Sequence, residues 1–327
     1  MRNLLLTMFL LLSSHSAYAC YDSGRSDKVN FDNCLPLAEQ GNAQAQHNLG
    51  LMYKKGRGVT EDYKQAVKWF KKSAEQGYAD AQAHLGFLYF VGKGVTQDYT
   101  QAMKWFRKPA EQGDVVPQSL LGFMYKYGQG VTQDFKQAVK WYRKAAEQGH
   151  DMAQYHLGEM YNNGQGVTQD YKQVVKWYRK AAEQGNDIAQ AGLGDSYYNG
   201  QGVTQDYKQA MKWLKKSAEQ GNVHAQSNLG AMYEKGRGVT EDYKQAVKWY
   251  RKAAEQGSAN AQKSLGNMYY RGHGVTQDNV QAHMWWNIAA SSGHKDATKN
   301  RGIVAKKMSP SQIEKAQDMA REWTAKH

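Results

Sequence analysis

One segment recurs seven times along this chain at a constant spacing of 36 residues, and this period constrains the fold more than any other feature. The copies are easiest to see at a Gly-Val-Thr triplet, which begins at Gly58, Gly94, Gly130, Gly166, Gly202, Gly238 and Gly274. A unit of this size cannot bury its apolar face alone and does so by stacking on its neighbours. The period therefore predicts a stacked array, although 327 residues would by themselves suggest two domains.

Each copy carries the pattern of two consecutive helices, as residues 43–78 illustrate. The apolar stripe of the first helix comprises Ala45, Leu49, Met52 and Tyr53. Gly56 and Gly58 then end this helix, as glycines at helix C-termini do. An Asp-x-x-Gln capping-box pattern at Asp62 predicts the start of a second helix, which ends at Gly77. We call the two helices of each copy helix A and helix B.

A glycine of helix A and a tryptophan and an alanine of helix B recur in every copy. Helix A contains Gly50, Gly86, Gly122, Gly158, Gly194, Gly230 and Gly266 at one position. Helix B contains the tryptophans Trp69, Trp105, Trp141, Trp177, Trp213, Trp249 and Trp285, and the alanines Ala74, Ala110, Ala146, Ala182, Ala218, Ala254 and Ala290. Because a glycine inside a helix costs about 1 kcal/mol relative to alanine, its repetition predicts close helix contact. The tryptophans, repeated at core spacing, are predicted to be core rather than a ligand site.

The pattern A-x3-LG-x2-Y-x2-G-x-GV-x3-D-x3-A-x2-W-x4-A-x2-G, over residues 43–294, resembles the Sel-one-like repeat family, which is related to tetratricopeptide repeats. The resemblance implies an α/α superhelix that scaffolds protein–protein contacts, often in exported bacterial proteins of envelope assembly or host interaction. It implies no catalytic residue. Cysteine-rich members linked to β-lactam binding carry a cysteine pair in each repeat, which this chain lacks.

We therefore expect an all-α fold, an α/α superhelix (solenoid) of seven helix-turn-helix repeats with a C-terminal capping helix. The expected repeats are 43–78, 79–114, 115–150, 151–186, 187–222, 223–258 and 259–294, between an N-terminal cap at 20–42 and a C-terminal cap at 295–327. Ser309-Pro310 predicts the start of the capping helix. Its apolar residues would cover the last hairpin: Ile313, Ala316, Met319, Ala320 and Trp323.

Two prolines interrupt the pattern between the second and third repeats. Pro109 replaces a small residue in helix B, and Pro117 replaces the helix A alanine that is Ala45 in the first repeat. Proline in a helix interior costs about 3 kcal/mol and kinks the helix, but it is tolerated in the first turn. Pro109 is therefore predicted to bend or shorten its helix and to create a local irregularity.

Residues 1–19 have the pattern of a secretory signal. Arg2 precedes an apolar run from Leu4 to Leu12, and Ala17-Tyr18-Ala19 forms a small-residue cleavage site. The run is too short to span a bilayer, and no other segment is apolar enough to do so. The sequence predicts a periplasmic or secreted protein without stable membrane insertion.

Cys20 and Cys34 are the only cysteines, and both precede the repeats. An even count in an exported chain predicts a disulfide that closes the short N-terminal segment. The alternative is that Cys20 is a lipidated first residue, although Ala17 and Tyr18 do not match the usual lipoprotein signal.

Helix A varies between repeats far more than helix B. In related superhelices helix A lines the concave surface, so we expect its variable positions to form a partner groove. The candidate partner-binding residues are Leu51, Phe87, Phe90, Phe123, Tyr127, Tyr155, Tyr198 and Tyr270, with Phe87, Phe90, Phe123 and Tyr127 as an apolar anchor. The alternative is that exposed positions drift after duplication, since isolated surface apolar residues are ordinary.

The net charge of +13 and pI of about 9.4 could suit an anionic partner. Lysine and arginine recur on one face of helix B, as a solvated face requires, and export argues against nucleic acid. The sequence contains no phosphate-loop, zinc-protease or nucleophile-elbow motif, and we expect no catalytic residue, metal or cofactor. The leading hypothesis is a non-enzymatic scaffold for a protein partner. The alternatives are a cationic binder of envelope glycan or lipopolysaccharide and, more weakly, a periplasmic hydrolase.

Overall fold

The computed structural model describes residues 20–326, and within this range the chain is helical and contains no strand. The signal predicted at residues 1–19 lies outside the described range. The first helix is α1 (Asp27–Glu39). The A helices are α2 (Ala43–Lys55), α4 (Ala79–Val91), α6 (Val115–Tyr127), α8 (Asp151–Asn163), α10 (Asp187–Asn199), α12 (Val223–Glu234) and α14 (Ala259–Arg271). The B helices are α3 (Tyr63–Glu75), α5 (Tyr99–Glu111), α7 (Phe135–Glu147), α9 (Tyr171–Glu183), α11 (Tyr207–Glu219), α13 (Tyr243–Glu255) and α15 (Asn279–Ser291). Two helices follow, α16 (Lys295–Ala305) and α17 (Pro310–Lys326).

The described chain divides into two compact units. The first contains residues 20–153 and 165–167, and the second contains residues 154–164 and 168–326. Within each unit, helix A packs against helix B of the same hairpin, and helix B packs against helix A of the next hairpin. This confirms the predicted all-α solenoid of consecutive helical hairpins.

The start of every helix B is capped by its aspartate. In α3 the Asp62 carboxylate accepts hydrogen bonds from the backbone N–H groups of Lys64 and Gln65, at 2.8 and 3.0 Å. The Asp62 N–H does not close the predicted capping box but donates to the carbonyl of Tyr53, at 2.9 Å. The same backbone bond recurs in the other six repeats, so the aspartate fixes both the start of helix B and its position against helix A.

The helix A glycines allow helix B to approach closely. A Cβ atom at Gly122 would lie 2.7 Å from Cδ1 of Tyr142, and the other six glycines of this column face Phe70, Phe106, Tyr178, Leu214, Tyr250 and Trp286. The predicted core role of the tryptophans is also confirmed, because six of the seven are buried and Trp105 is half-buried. Each glycine of this column therefore faces a large apolar side chain of helix B, which is aromatic in six of the seven hairpins.

The Gly-Val-Thr loop joins helix A to helix B of one hairpin and packs against the preceding helix. Gly94 has a left-handed φ of 73°, and a Cβ atom there would collide with the backbone carbonyl of Tyr63, the first residue of the preceding helix B. The equivalent glycines of the later repeats contact the preceding helix B in the same way. Glycine is required here both by the backbone conformation and by the close approach.

A buried glutamine of helix A ties three helices together. Gln226 donates through Nε2 to the carbonyl of Ala218 at 3.1 Å, and its Oε1 accepts from Nε2 of Gln256 at 2.8 Å. Gln46, Gln118 and Gln190 make the equivalent pair of bonds. Among the described residues, Oε1 has no partner in Gln82 and Gln262. In the repeat of Gln262 the donor position holds Ser292, and in the repeat of Gln82 helix B contains Pro109.

The predicted shortening of helix B at Pro109 is wrong. Helix α5 keeps the same 13 residues as the other B helices. Because Pro109 lies in the last turn, it removes only the bond to the carbonyl of Trp105, and the N–H of Gln112 bonds to the carbonyl of Lys108. Pro117 lies in the first turn of α6, where proline is tolerated, as expected. In the repeat of Pro109 the glutamine bond is missing at Gln82, and Trp105 is half-buried whereas the equivalent tryptophans are buried.

The N-terminal cap resembles a lone helix B. The carbonyl of Ala38 in α1 accepts a bond from Gln46 at 3.0 Å, as Ala74 does from Gln82 in the next repeat. The structure contains the predicted disulfide between Cys20 and Cys34, whose Cα atoms are 4.7 Å apart. Lipidation of Cys20 would require its sulfur atom, and in the structure that atom is bonded to Cys34.

The C-terminal helix packs on the last hairpin. Ala316 and Ala320 of α17 are buried against α15, and the rings of Trp323 and Trp285 are 5.7 Å apart. This confirms the predicted capping helix, which begins at Pro310.

Candidate functional site

The predicted partner-binding residues fall into two groups with different surroundings. Leu51, Phe87, Phe90, Phe123 and Tyr127 belong to the first unit. Tyr155, Tyr198 and Tyr270 belong to the second. The two groups are described separately below.

Four aromatic side chains of the first unit form one continuous surface on helices α4 and α6, which we call the aromatic patch: Phe87, Phe90, Phe123 and Tyr127. The ring centroids of Phe90 and Phe123 are 6.0 Å apart, and those of Phe123 and Tyr127 are 4.6 Å apart. Phe87 lies one turn before Phe90 on the same helical face. Phe87 and Tyr127 are 40% and 50% exposed, whereas Phe90 and Phe123 are half-buried.

Three lysines of the first unit lie near one another, and we call them the lysine rim: Lys54, Lys55 and Lys93. Lys54 lies against Phe87, whereas the Nζ atom of Lys93 lies 5.0 Å from the centroid of the Tyr63 ring. The Nζ atom of Lys54 lies 5.7 Å from the centroid of the Phe87 ring, within the range of a cation–π contact. Lys55 and Lys93 are exposed. Burial lowers the pKa of Lys54, and the positive charges of Lys55 and Lys93 lower it further. The three ammonium groups therefore repel one another at this edge of the aromatic patch.

Two histidines lie beneath this surface. The rings of His47 and His84 are 5.3 Å apart, and His84 also packs against Phe70 at 5.1 Å. Burial lowers the pKa of both imidazoles, and nearby Lys54 helps to bring that of His84 to about 4. At neutral pH both rings are uncharged core groups, which agrees with a structural role.

Leu51 lines a small cleft next to the N-terminal cap, together with Lys55 of the lysine rim. The cleft has a volume of about 160 Å³ and is also lined by Tyr21, Asn48 and Arg57. Arg57 donates to the hydroxyl of Tyr21 at 3.4 Å, so the cleft wall is tied to the cap.

The three tyrosines of the second unit are engaged within the chain. Tyr155 stacks on Tyr178 with ring centroids 5.7 Å apart. The hydroxyl of Tyr198 accepts a hydrogen bond from Arg237, and that of Tyr270 accepts one from Lys307 at 2.6 Å. The structure does not bring these tyrosines together as an exposed anchor.

The helix A position that holds Phe87 and Phe123 in the first unit holds Asp195 in the second, where Asp195 belongs to a polar network. Asp195 accepts from Asn228 at 2.8 Å and lies 2.7 Å from Nε2 of His224. The bond to Asp195 raises the pKa of His224. His224 and Asn228 also line an open cleft of about 600 Å³. The sequence does not predict this network, because the partners of Asp195 lie 29 and 33 residues further along the chain.

Neither a metal site nor a membrane span is found in the part of the chain that the structure describes. Between residues 20 and 326, no three histidine, cysteine, aspartate or glutamate side chains come close enough together to hold an ion. In the same range, no helix combines the length and the apolar character needed to cross a bilayer.

A family model described as the Sel1 repeat matches the chain seven times. The matched residues are 43–78, 79–114, 118–150, 151–186, 187–222, 223–258 and 259–294. The third match begins directly after Pro117. A sequence comparison with curated proteins gives no match.

Two solved structures illustrate the similarity. A Sel1 repeat protein from Oxalobacter formigenes is 34% identical, with a TM-score of 0.68, and the alignment covers 90% of this chain and 88% of that one. A protective antigen of uropathogenic Escherichia coli strains, which displays an SLR fold, is 36% identical with a TM-score of 0.48. That alignment covers 91% of this chain and 79% of the antigen.

Proposed function

Because the chain belongs to the Sel1 repeat family, we propose that it is an exported, non-enzymatic scaffold that binds a protein partner through the aromatic patch. Its role would lie in envelope assembly or host interaction, as the family resemblance implies. The observation that carries the proposal is the exposure of large aromatic side chains on helix A of the first unit.

Comparison of the repeats shows that folding does not require aromatics at these positions. The register of Phe87 and Phe123 holds Glu159, Asp195 and Asn267 in other repeats that form the same hairpin. Exposed aromatic side chains that packing does not need are typical anchors of protein interfaces. The patch is therefore better explained by binding than by stability.

Export is supported by the N-terminal signal pattern and by the disulfide. Disulfides persist in oxidising compartments and are rare in the reducing cytosol. A non-enzymatic role is supported by the family resemblance, which implies no catalytic residue. The only titratable groups of the aromatic patch and lysine rim are three lysines and Tyr127.

A second candidate is a cationic binder of anionic envelope glycan, and the helix B surface favours it. Lys68, Lys140 and Lys248 are exposed at equivalent positions of three B helices, each 5.8 or 5.9 Å from the centroid of the neighbouring tryptophan ring. Exposed lysines repeated along successive B helices can contact the anionic groups of a glycan.

The two candidates can be separated by crosslinking capture from the exported fraction. The patch variant carries Phe87→Asp and Phe123→Glu, and the helix B variant carries Lys68→Glu, Lys140→Glu and Lys248→Glu. Both variants are first checked for unchanged helix content. We expect the wild type and the helix B variant to capture the same protein, and the patch variant to lose it.

Equal capture of that protein by the wild type and the patch variant would contradict the scaffold proposal at this surface. Recovery of glycan instead, sensitive to salt and lost in the helix B variant, would support the second candidate.

A further inference from the structure

We propose that the aromatic patch and the lysine rim together bind an acidic peptide segment, in which carboxylate side chains flank an aromatic or aliphatic one. The inference rests on the proposed function and adds the chemistry of the partner. It is carried by the position of the Lys54 ammonium group over the Phe87 ring.

The lysine rim has no internal counter-charge. No carboxylate lies within 4.0 Å of Lys54, Lys55 or Lys93 anywhere in residues 20–326. The sequence explains this, since the residues one turn away from Lys54 and Lys55 are Gly50, Leu51, Gly58 and Val59. Lys93 likewise has Gln97 four residues later.

Two lysines of helix B differ in this respect. Lys71 and Lys215 each lie 3.9 Å from the glutamate four residues later, in the usual helical ion-pair arrangement. The lysine rim therefore keeps three mutually repelling cations at one edge of an exposed apolar surface. A ligand that brings carboxylates to this edge relieves the repulsion, and one that also brings an apolar side chain covers the patch.

The position of Lys54 places a positive charge next to the exposed aromatic ring of Phe87. Its ammonium group lies over the Phe87 ring, so the cation and the apolar anchor are within one side-chain length of each other. A ligand must then present its carboxylate next to its apolar group, as neighbouring residues of one peptide do. A purely polyanionic chain would leave Phe87 and Tyr127 exposed.

A second copy of this chain fits the surface less well. Three acidic residues of helix A in the second unit are already bonded: Glu159 to His156 at 3.1 Å, Asp195 to His224 at 2.7 Å and Glu234 to Tyr250 at 2.6 Å. Their transfer to the lysine rim would break these bonds. A flexible acidic segment of another protein does not carry that cost.

The test is selection of a random 12-residue peptide library displayed on phage, followed by binding titrations of the enriched peptides. The rim variant carries Lys54→Glu, Lys55→Glu and Lys93→Glu. Its matched control carries Lys136→Glu, Lys172→Glu and Lys208→Glu, which changes the net charge equally on exposed positions of helix B. Glu234 occupies the Lys54 register in another repeat, so the fold accepts glutamate there. The patch variant Phe87→Asp/Phe123→Glu is the third protein.

We expect the wild type to enrich peptides with acidic residues beside an aromatic or aliphatic one. The rim variant should bind them at least about tenfold more weakly and should select basic–apolar peptides instead, while the matched control binds as the wild type does. Raising the salt concentration should weaken binding to the wild type.

Enrichment of apolar peptides with no excess of acidic residues, lost in the patch variant but not in the rim variant, would overturn this inference and leave the proposed function intact. Peptides that bind the wild type and the patch variant equally would contradict the proposed function itself. Self-association of the wild type that the rim variant abolishes would show that a second copy, not an acidic peptide, is the occupant.

Discussion

At the scale of single residues, the repeats provide an internal comparison of what each register requires. The helix A glycine column is invariant because a Cβ atom would overlap the facing side chain of helix B. The register of Phe87 varies from phenylalanine to aspartate, because its side chain points away from the helix contact and is 40% exposed at Phe87. Variation thus marks the positions that are available for function.

The paired histidines should make stability depend on acid. The folded-state pKa of His84 is about 4, below the usual 6.5, chiefly because of burial, and that of His47 is lowered for the same reason. As pH falls from about 6.5 to 4, the unfolded chain takes up protons that the folded chain resists, so stability is present above pH 6.5 and lost below it. The loss from His84 is about 2 kcal/mol after allowing for its partial exposure.

The measurement is thermal unfolding at several pH values for the wild type and for His47→Ser/His84→Asn. Ser119 and Asn48 occupy these registers in other repeats, so both replacements fit the hairpin. We expect the variant to lose less of its melting temperature between pH 6.5 and 4. Parallel curves for the two proteins would show that the buried pair does not contribute.

At the scale of helices, close packing of helix A on helix B explains the arrangement of each hairpin. The glycine removes a side chain where the aromatic ring of helix B lies, and the buried glutamine bonds to the preceding helix B and to the end of its own. The capping aspartate sets the register through the carbonyl of helix A. Each helix is therefore positioned by several contacts with its neighbours.

Gly122→Ala should destabilise the protein even though alanine favours helix. The new Cβ atom would lie 2.7 Å from the Tyr142 ring, and overpacking of this kind costs about 1–3 kcal/mol. Gly302→Ala is the matched control, because Gly302 lies inside α16 with no atom within 4 Å of the added Cβ. There alanine should stabilise by about 0.5–1 kcal/mol.

Both variants can be compared with the wild type by urea unfolding. Opposite signs of the change in unfolding free energy are expected. A stabilising effect of Gly122→Ala would mean that the helices have room to separate at that site.

At the scale of the whole molecule, the ends of the array need covering, because each hairpin exposes an apolar face that its neighbour would bury. Helix α1 contacts the first hairpin as a helix B would, and the disulfide holds the segment before it. At the other end, α17 covers α15 through Ala316, Ala320 and Trp323. The two caps differ in sequence but both replace a missing hairpin.

Deletion of residues 309–327 should destabilise the last hairpin and promote aggregation. The deletion uncovers Trp285 and Ile288, and re-exposure of each large apolar side chain costs about 1.5–3 kcal/mol. Deletion of residues 324–327 alone, which keeps Trp323, is the control. Calorimetry and light scattering should show a lower melting temperature and larger particles only for the longer deletion. Identical behaviour of the two truncations would show that α17 is dispensable.

The sequence by itself determined the elements of this fold and their order. The apolar period, the aspartate caps and the glycine stops are local signals, so helix A, helix B and the capping helix could be predicted from residues close together in the chain. The core role of the tryptophans followed from the same periodicity. Even the glutamine bridge left a signal, since a glutamine recurs in every helix A at the position of Gln46, but its partners could not be identified from that pattern alone.

Only the tertiary structure decided which variable residues form a surface. Phe90 and Phe123 meet because neighbouring A helices lie side by side, whereas Tyr198 and Tyr270 are bonded to residues 39 and 37 positions away. The structure also decided the partner of the Asp62 N–H, which is the carbonyl of Tyr53 in helix A. It likewise decided that α5 keeps its full length around Pro109. A local pattern records which residues face the same way along one helix, but contacts between side chains depend on the separation of helices that only packing sets.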